Sequence, residues 1–186
     1  MRTKLSTKEM VYAALFTAFL AVLGMIPPIP LGFIPVPVTA QTLGVMLAGC
    51  FLGRKPAALS MILFIILVAL GLPILSGGRG GLGVFVAPSA GYLLSWPVAA
   101  YLTGYTVEKL WPKLKFWKLL IVNIVFCVIL VSLIGAPVMA LITKTSIWAG
   151  LISAAVYIPG DIIKAIIAAA VAFQLKVISP VEEKMQ

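Results

Sequence analysis

Apolar residues run along this chain in blocks long enough to enter or cross a bilayer, separated by short charged or Gly/Pro-rich joints. A helix needs about 20 predominantly apolar residues to span a hydrocarbon core. The first block predicts a span at about 10–26, closed by Pro27-Pro28, where two prolines remove backbone donors and stop the helix. A second span, short and rich in small residues, covers about 39–52 and ends before Gly53-Arg54-Lys55. The third, at about 56–75, is apolar throughout, and the fourth and fifth fall at about 89–107 and 119–142. The last apolar stretch, about 147–175, is too long for one simple crossing. Pro159-Gly160 divides it, because a residue before proline avoids the helical region and glycine weakens helix interiors. The expected result is a short outer helix followed by a sixth span beginning near Asp161. The pattern therefore predicts an all-α membrane protein: six transmembrane helices in one compact bundle, forming a single domain over residues 1–186.

Two joints stand apart from ordinary connectors. Ile29-Pro30-Leu31-Gly32-Phe33-Ile34-Pro35-Val36-Pro37 is apolar in its side chains, yet its spaced prolines forbid a helix, which fits an extended cap lying at the membrane surface. Ser76-Gly77-Gly78-Arg79-Gly80-Gly81-Leu82-Gly83 breaks regular structure and lets backbone approach a ligand, with Arg79 as its charge. Its Gly78-to-Gly83 part matches G-x-G-x-x-G literally, but it follows a membrane span and opens no helix of a dinucleotide-binding unit, so the nucleotide reading fails.

Composition agrees with the pattern. Hydrophobic residues make up 62% of the 186 and charged residues 10%, against about 25% charged in soluble domains. Mean hydropathy is +1.18. The net charge of +9 comes from basic residues that flank apolar blocks and form no aromatic-interleaved patch, so the bilayer rather than nucleic acid is the expected partner. No small-residue cleavage site follows the first apolar run, which is expected to stay as the first span.

Charge also sets the orientation. Arg2, Lys4 and Lys8, then Arg54 and Lys55, then Lys109, Lys113, Lys115 and Lys118, then Lys176 and Lys184 all fall on one side of a six-span topology, against Arg79 and Lys144 on the other. Basic loops stay inside, which predicts a multi-pass protein with both termini cytoplasmic and Asp161 near the outer face. Trp111 and Trp117 would mark the inner interface and Trp148 the outer.

Conventional catalytic chemistry is poorly supplied. Without histidine, and with Cys50 and Cys127 in separate apolar blocks, neither a metal centre, a disulfide nor a His-based triad is expected, and no cofactor is called for. Asp161 is instead the informative residue, the one acid within the long apolar stretches, with Lys164 three residues on. Ionisable groups are costly in a membrane and mark function there, and positions i and i+3 share a helix face. From Ile162 to Leu175 the helix rises about 21 Å, which sets Asp161 towards one end of the hydrocarbon core, at a helix N-terminus that favours its charge. A pair of this kind suits a polar ligand; a salt bridge that only fixes packing and an ion- or proton-coupled carrier are the competing readings. An intramembrane enzyme would need Asp161 as general base and lacks an evident nucleophile.

Gln41, Tyr92, Trp96, Asn123 and Tyr157 are the other polar-tipped residues within or beside the spans. Gln41 and Tyr92 border the two unusual joints and rank as binding candidates, whereas Asn123 lies towards the inner end of span five and is read as structural. Ala14 and Ala18 place small residues four apart on the first helix, allowing another helix to approach closely.

Taken together, four segments resemble one family. They are Ile34-Pro35-Val36-Pro37-Val38-Thr39-Ala40-Gln41-Thr42-Leu43-Gly44, Gly71-Leu72-Pro73-Ile74-Leu75-Ser76-Gly77-Gly78-Arg79-Gly80-Gly81, Pro88-Ser89-Ala90-Gly91-Tyr92, and Tyr157-Ile158-Pro159-Gly160-Asp161-Ile162-Ile163-Lys164-Ala165. The chain resembles, over nearly its whole length, the biotin-specific substrate-binding (S) components of energy-coupling-factor (ECF) vitamin transporters, the BioY family. That resemblance implies a six-helix subunit of a prokaryotic cell membrane that binds biotin from outside, beneath the loop between the first two helices. It casts Asp161 and Lys164 as the ligand pair, with Gly78 of the glycine-rich loop and Tyr92 around it. Asp161 would accept from a ureido N–H, Lys164 would donate to the ureido carbonyl or neutralise Asp161, and Arg79 would take the carboxylate. Some relatives carry a basic residue just after the tyrosine, where this chain has Leu93 and Leu94, so Arg79 takes that role here as a substitute. The resemblance also implies partners: a transmembrane T component, met through Ala14 and Ala18, and two ATPase subunits, since no G-x-x-x-x-G-K-[ST] occurs in this sequence.

Overall fold

The computed structural model describes residues 6–32, 34–176 and 179–181. Arg2, Lys4 and Lys184, used above to orient the chain, lie outside the described residues. Helix α1 spans Thr7–Gly24 and begins with a capping box. Ser6 Oγ accepts from the Glu9 N–H, while the Glu9 carboxylate accepts from the Ser6 N–H, satisfying two donors that a helix start leaves open. Helices α2 (Gln41–Leu52) and α3 (Arg54–Ala69) are joined by Gly53 alone. After the glycine-rich segment and a 3-10 turn at Leu82–Val86 comes α4, Ala90–Leu110. Helix α5, Phe116–Thr143, is followed by the bent pair α6, Ile147–Ala155, and α7, Ile158–Gln174.

Helix α2 sits in the middle of this bundle, packed on α1, α3, α4 and α7, and eight of its 12 residues are buried. A helix of 12 residues rises only about 18 Å, and this one is free to be short because protein, not lipid, surrounds it. Its own Met46 and Leu52 are wholly buried, as are Leu20, Met61 and Phe64 of the helices packed on it. The opposite surface is apolar too: Leu15, Val22, Ile121, Ile129, Leu133, Ile152 and Ile163 are all exposed, as lipid-facing positions should be. Of the helices, α1 and α5 are individually long and apolar enough to cross a membrane, and the bent α6–α7 pair is a third candidate span.

Three local outcomes differ in detail from the sequence pattern. The chain breaks at Val156–Tyr157, with a 51° bend between α6 and α7, two residues before Pro159-Gly160. Pro159 instead occupies the first turn of α7, where a missing N–H leaves no bond unmade. Helix α5 contains a π-helical segment, Ile124–Leu130, immediately before Val131 and Ser132, which line a cavity at one end of the bundle. Trp111, expected in an interfacial belt, is only 3% exposed: it packs in a satellite core, with Lys176 over its ring and donating to its carbonyl. Trp117 and Trp148 do face outwards.

The two ends of the bundle are built differently. One carries an ion pair between Arg54 and Glu108, 3.2 Å apart, and the basic joints 53–55 and 111–115. At the other end the proline-rich and glycine-rich joints meet the α6–α7 bend, and there the cavity lies.

Candidate functional site

The cavity is closed on one side by the proline-rich segment. An antiparallel bridge between Ile29 and Val38 makes this segment a loop with a fixed base. Ile34 and Val36 are buried against Met139 of α5, Ala154 of α6 and Tyr157 at the bend. The Tyr157 hydroxyl donates to the Val36 carbonyl, so the apolar cap is held at a polar point as well. This is the covering role that alternating prolines with apolar neighbours suggested.

Gln41 turns out to be the brace of this end. Its amide donates to the carbonyls of Leu20 and Ile74, both at 3.1 Å, and accepts from the Ser76 N–H at 3.0 Å. It is 1% exposed and ties α1, the start of α2 and the glycine-rich joint together. Although it borders the cavity, its polar atoms are committed to backbone. In the glycine-rich joint, Leu75 and Arg79 exchange both backbone hydrogen bonds around Ser76-Gly77-Gly78. Gly77 and Gly78 have φ of 80° and 67°, a left-handed turn that side chains disfavour. Gly78 is exposed and absent from the cavity wall; its role is to present Arg79, which is part of that wall. Arg79 donates to the Ser76 carbonyl and the Ser89 hydroxyl, leaving three of its five N–H donors for another acceptor.

Asp161 and Lys164 stand on the first two turns of α7. Lys164 Nζ lies 2.6 Å from Asp161 Oδ1, 2.7 Å from Thr42 Oγ1 and 2.9 Å from the Thr39 carbonyl. An ammonium has three N–H donors, and all three are used. Its charge therefore fixes and neutralises Asp161. The other Asp161 oxygen, Oδ2, accepts from no described residue and is the carboxylate's free face. Both side chains are 14% exposed, buried enough for an incoming hydrogen bond to be strong. Thr42, which the sequence did not single out, completes the cluster one residue along α2 from the brace at Gln41.

The remaining wall belongs to α4 and α5. Tyr92 packs edge-on to Tyr157 with ring centroids 6.0 Å apart, and the absence of a side chain at Gly135 gives its ring room against α5. The Tyr92 hydroxyl and the Trp96 indole N–H are both buried without a hydrogen-bond partner. Buried donors left unpaired cost about 1–3 kcal/mol each, so two of them on one cavity wall are unusual unless something visits. Asn123 also has an unpaired amide nitrogen, but it is not a wall residue: its carbonyl accepts from Cys50 and links α2 to α5, the structural role assigned to it.

Together these groups line a cavity with about 700 Å³ of space left by the protein atoms, the open mouth and its solvent included. Val36, Val38, Leu75, Val84, Leu93 and Val131 supply the apolar part of the wall. Such a site suits a compact molecule with a hydrogen-bonding head, an apolar body and an anionic tail. Asp161, Lys164, Arg79, Tyr92 and Gln41 all reach the cavity; Gly78 does not, and Ala14 and Ala18 lie exposed on the outer face of α1.

Known proteins share both sequence and architecture with this chain. The "Probable biotin transporter BioY" of Bacillus subtilis is 46% identical over 167 residues, covering 90% of this chain and 89% of the relative. The "Biotin transporter BioY" of Rhizobium etli is 40% identical, with 89% and 91% covered. Among solved structures, the crystal structure of the S-component for biotin from an ECF-type ABC transporter superposes with a TM-score of 0.88 at 37% identity, covering 93% of this chain and 95% of that one. The BioY family model matches residues 1–180, and with relatives this close over nine-tenths of its length the chain belongs to the BioY family.

Proposed function

We propose that this chain is the substrate-binding subunit of an ATP-driven biotin uptake transporter, and not an enzyme. It is a single membrane domain that crosses a prokaryotic plasma membrane several times, with both termini in the cytoplasm and the cavity facing out. Support for the orientation comes from the basic joints at the end opposite the cavity. The observation that carries the function is the Asp161 carboxylate, held and neutralised by Lys164, with one oxygen free in a cavity of apolar and hydrogen-bonding groups.

Biotin matches what the cavity offers. Its ureido ring has two N–H donors and one carbonyl, its thioether ring is apolar, and its valerate ends in a carboxylate. Asp161 Oδ2 accepts one ureido N–H; Lys164 orients that acceptor; the valine- and leucine-rich wall covers the ring system; and Arg79 pairs with the carboxylate through its uncommitted donors. Tyr92 borders the head, whereas Gln41 and Gly78 act on the ligand through the shape they impose on the loops.

Release into the cell requires partners: a transmembrane T component and two ATPase subunits. The T component docks on the face of α1 where Ala14 and Ala18 are exposed and leave room for a close helix.

Equilibrium binding of labelled biotin to the purified chain tests the reading. Saturable binding that Asp161→Ala abolishes is expected. A correctly folded wild-type chain that does not bind biotin would overturn the function, and tight binding indifferent to Asp161→Ala would overturn the site.

A further inference from the structure

The groups that the protein leaves uncommitted in this cavity form a definite donor and acceptor pattern. Asp161 Oδ2 is acceptor-only. The Trp96 indole N–H is donor-only, 95% buried by the residue's 5% exposure, and unpaired. The hydroxyls of Tyr92 and Ser132 can do either, and neither is engaged by a described residue. Lys164, the obvious donor by charge, has no N–H left over. Arg79 is tied to Ser76 and Ser89 on the loops and serves the other end.

Placement adds to this inventory. Tyr92 of α4 meets Tyr157 at the start of α7, ring against ring. Both helices run inwards from that contact. Four residues further along each stand Trp96 and Asp161, about 6 Å deeper by helical rise. The donor-only and the acceptor-only group thus line one cavity, each four residues beyond one member of the touching tyrosine pair. A cyclic urea needs an acceptor for each N–H and a donor for its carbonyl. Asp161 supplies the first acceptor, a hydroxyl of Tyr92 or Ser132 the second, and Trp96 is the one fixed donor.

We propose that Trp96 is a specificity-determining residue whose indole N–H donates to the carbonyl of the ligand's cyclic urea, the role that Lys164 is too fully engaged to fill. This deepens the biotin reading and rests on it. Carbonyl recognition gives a role to an indole N–H that apolar packing at this position does not require. Trp96 already packs on Phe64 at 5.9 Å between ring centroids, a contact that a phenylalanine would keep in kind.

The test is binding of three ligands to full-length wild-type protein and to Trp96→Phe: biotin, its thiocarbonyl analogue, in which sulfur makes a poor acceptor, and biotinol, which lacks the carboxylate. For biotin, Trp96→Phe is expected to raise Kd about 10- to 100-fold, the usual consequence of leaving a buried carbonyl without its donor. The same substitution should cost less than about threefold with the thiocarbonyl analogue, and its full penalty should persist with biotinol. An undiminished penalty on the thiocarbonyl analogue, a penalty that vanishes with biotinol, or unchanged biotin binding by Trp96→Phe would each overturn the assignment. Should Trp96→Phe not fold, benzothienylalanine incorporated at position 96 keeps the bicyclic shape and deletes only the N–H, and the same ligand comparison decides. Folded wild-type protein that binds none of the three ligands would instead refute the biotin reading itself.

Discussion

Tyr157 and Val36 stand 121 residues apart in sequence, and the tyrosine hydroxyl donates to the valine backbone carbonyl. One hydrogen bond thereby joins the bend between α6 and α7 to the proline-rich cap, on the doorstep of Asp161. The same tyrosine presents its ring to Tyr92, so the cap, the bend and the α4 wall share one residue.

Tyr157→Phe keeps that ring contact and removes the clasp. The Val36 carbonyl is then left buried without its donor, at a cost of about 1–2 kcal/mol to the closed cap. Release of bound biotin should quicken about 5- to 30-fold, with the thermal midpoint little changed. Stopped-flow displacement of a fluorescent biotin derivative measures it; an unchanged release rate would mean that the cap is held by its apolar contacts alone.

The Asp161–Lys164 pair separates structural from binding roles by a double substitution. Asp161→Asn leaves Lys164 charged and about six-sevenths buried without its counter-ion, which typically destabilises by about 3–5 kcal/mol. Adding Lys164→Met removes the orphan charge, and much of the lost stability should return. Biotin binding should remain at least about 100-fold weakened in the double variant, since the free carboxylate oxygen is gone. Thermal unfolding and equilibrium binding on the same samples check this. Recovery of both properties together would reduce the pair to a packing device.

Gln41→Leu should act through stability. Three backbone groups, on Leu20, Ile74 and Ser76, lose their partner, for an expected loss of about 2–4 kcal/mol. The glycine-rich joint should loosen with it, seen as faster hydrogen exchange of the Ser76 amide. Intact stability with lost binding would show instead that the amide meets the ligand directly.

The sequence made some of this readable for physical reasons and hid the rest for others. Asp161 and Lys164 stood out because charge in an apolar helix is costly, and the two covering joints stood out because proline and glycine change backbone conformation whatever surrounds them. Gln41 looked like Tyr92, a polar tip beside a loop, and only the positions of Leu20, Ile74 and Ser76 reveal that its bonds are already spent. Trp96 was one of five polar-tipped residues, ranked below Gln41 and Tyr92 until its N–H proved unpaired. Thr42 carries no unusual charge, so its place between Lys164 and Asp161 depended on a long-range contact that pattern cannot report. The π-helical segment of α5 contains neither proline nor glycine, and nothing in its residues announces it. The α6–α7 bend fell two residues early because Pro159, read as a breaker, serves just as well in the first turn of a new helix.

Arg79 provides the sharpest test of the ligand's other end. It is half-buried, held by Ser76 and Ser89 rather than by any acid, and free to offer several donors at once. If it binds the carboxylate, its contribution depends on that group being present. Arg79→Ala should then weaken biotin about 10- to 100-fold, as losing a charge-assisted, partly desolvated pair does, while leaving biotinol within about threefold of wild type. Arg79→Lys should recover only part of the loss, because a single ammonium cannot reproduce a two-pronged contact held by the loop. Titration calorimetry with both ligands on all three proteins makes the comparison. An equal loss for biotin and biotinol would show that Arg79 shapes the loop through Ser76 and Ser89, and the carboxylate would then have to be sought at the cavity mouth among backbone donors.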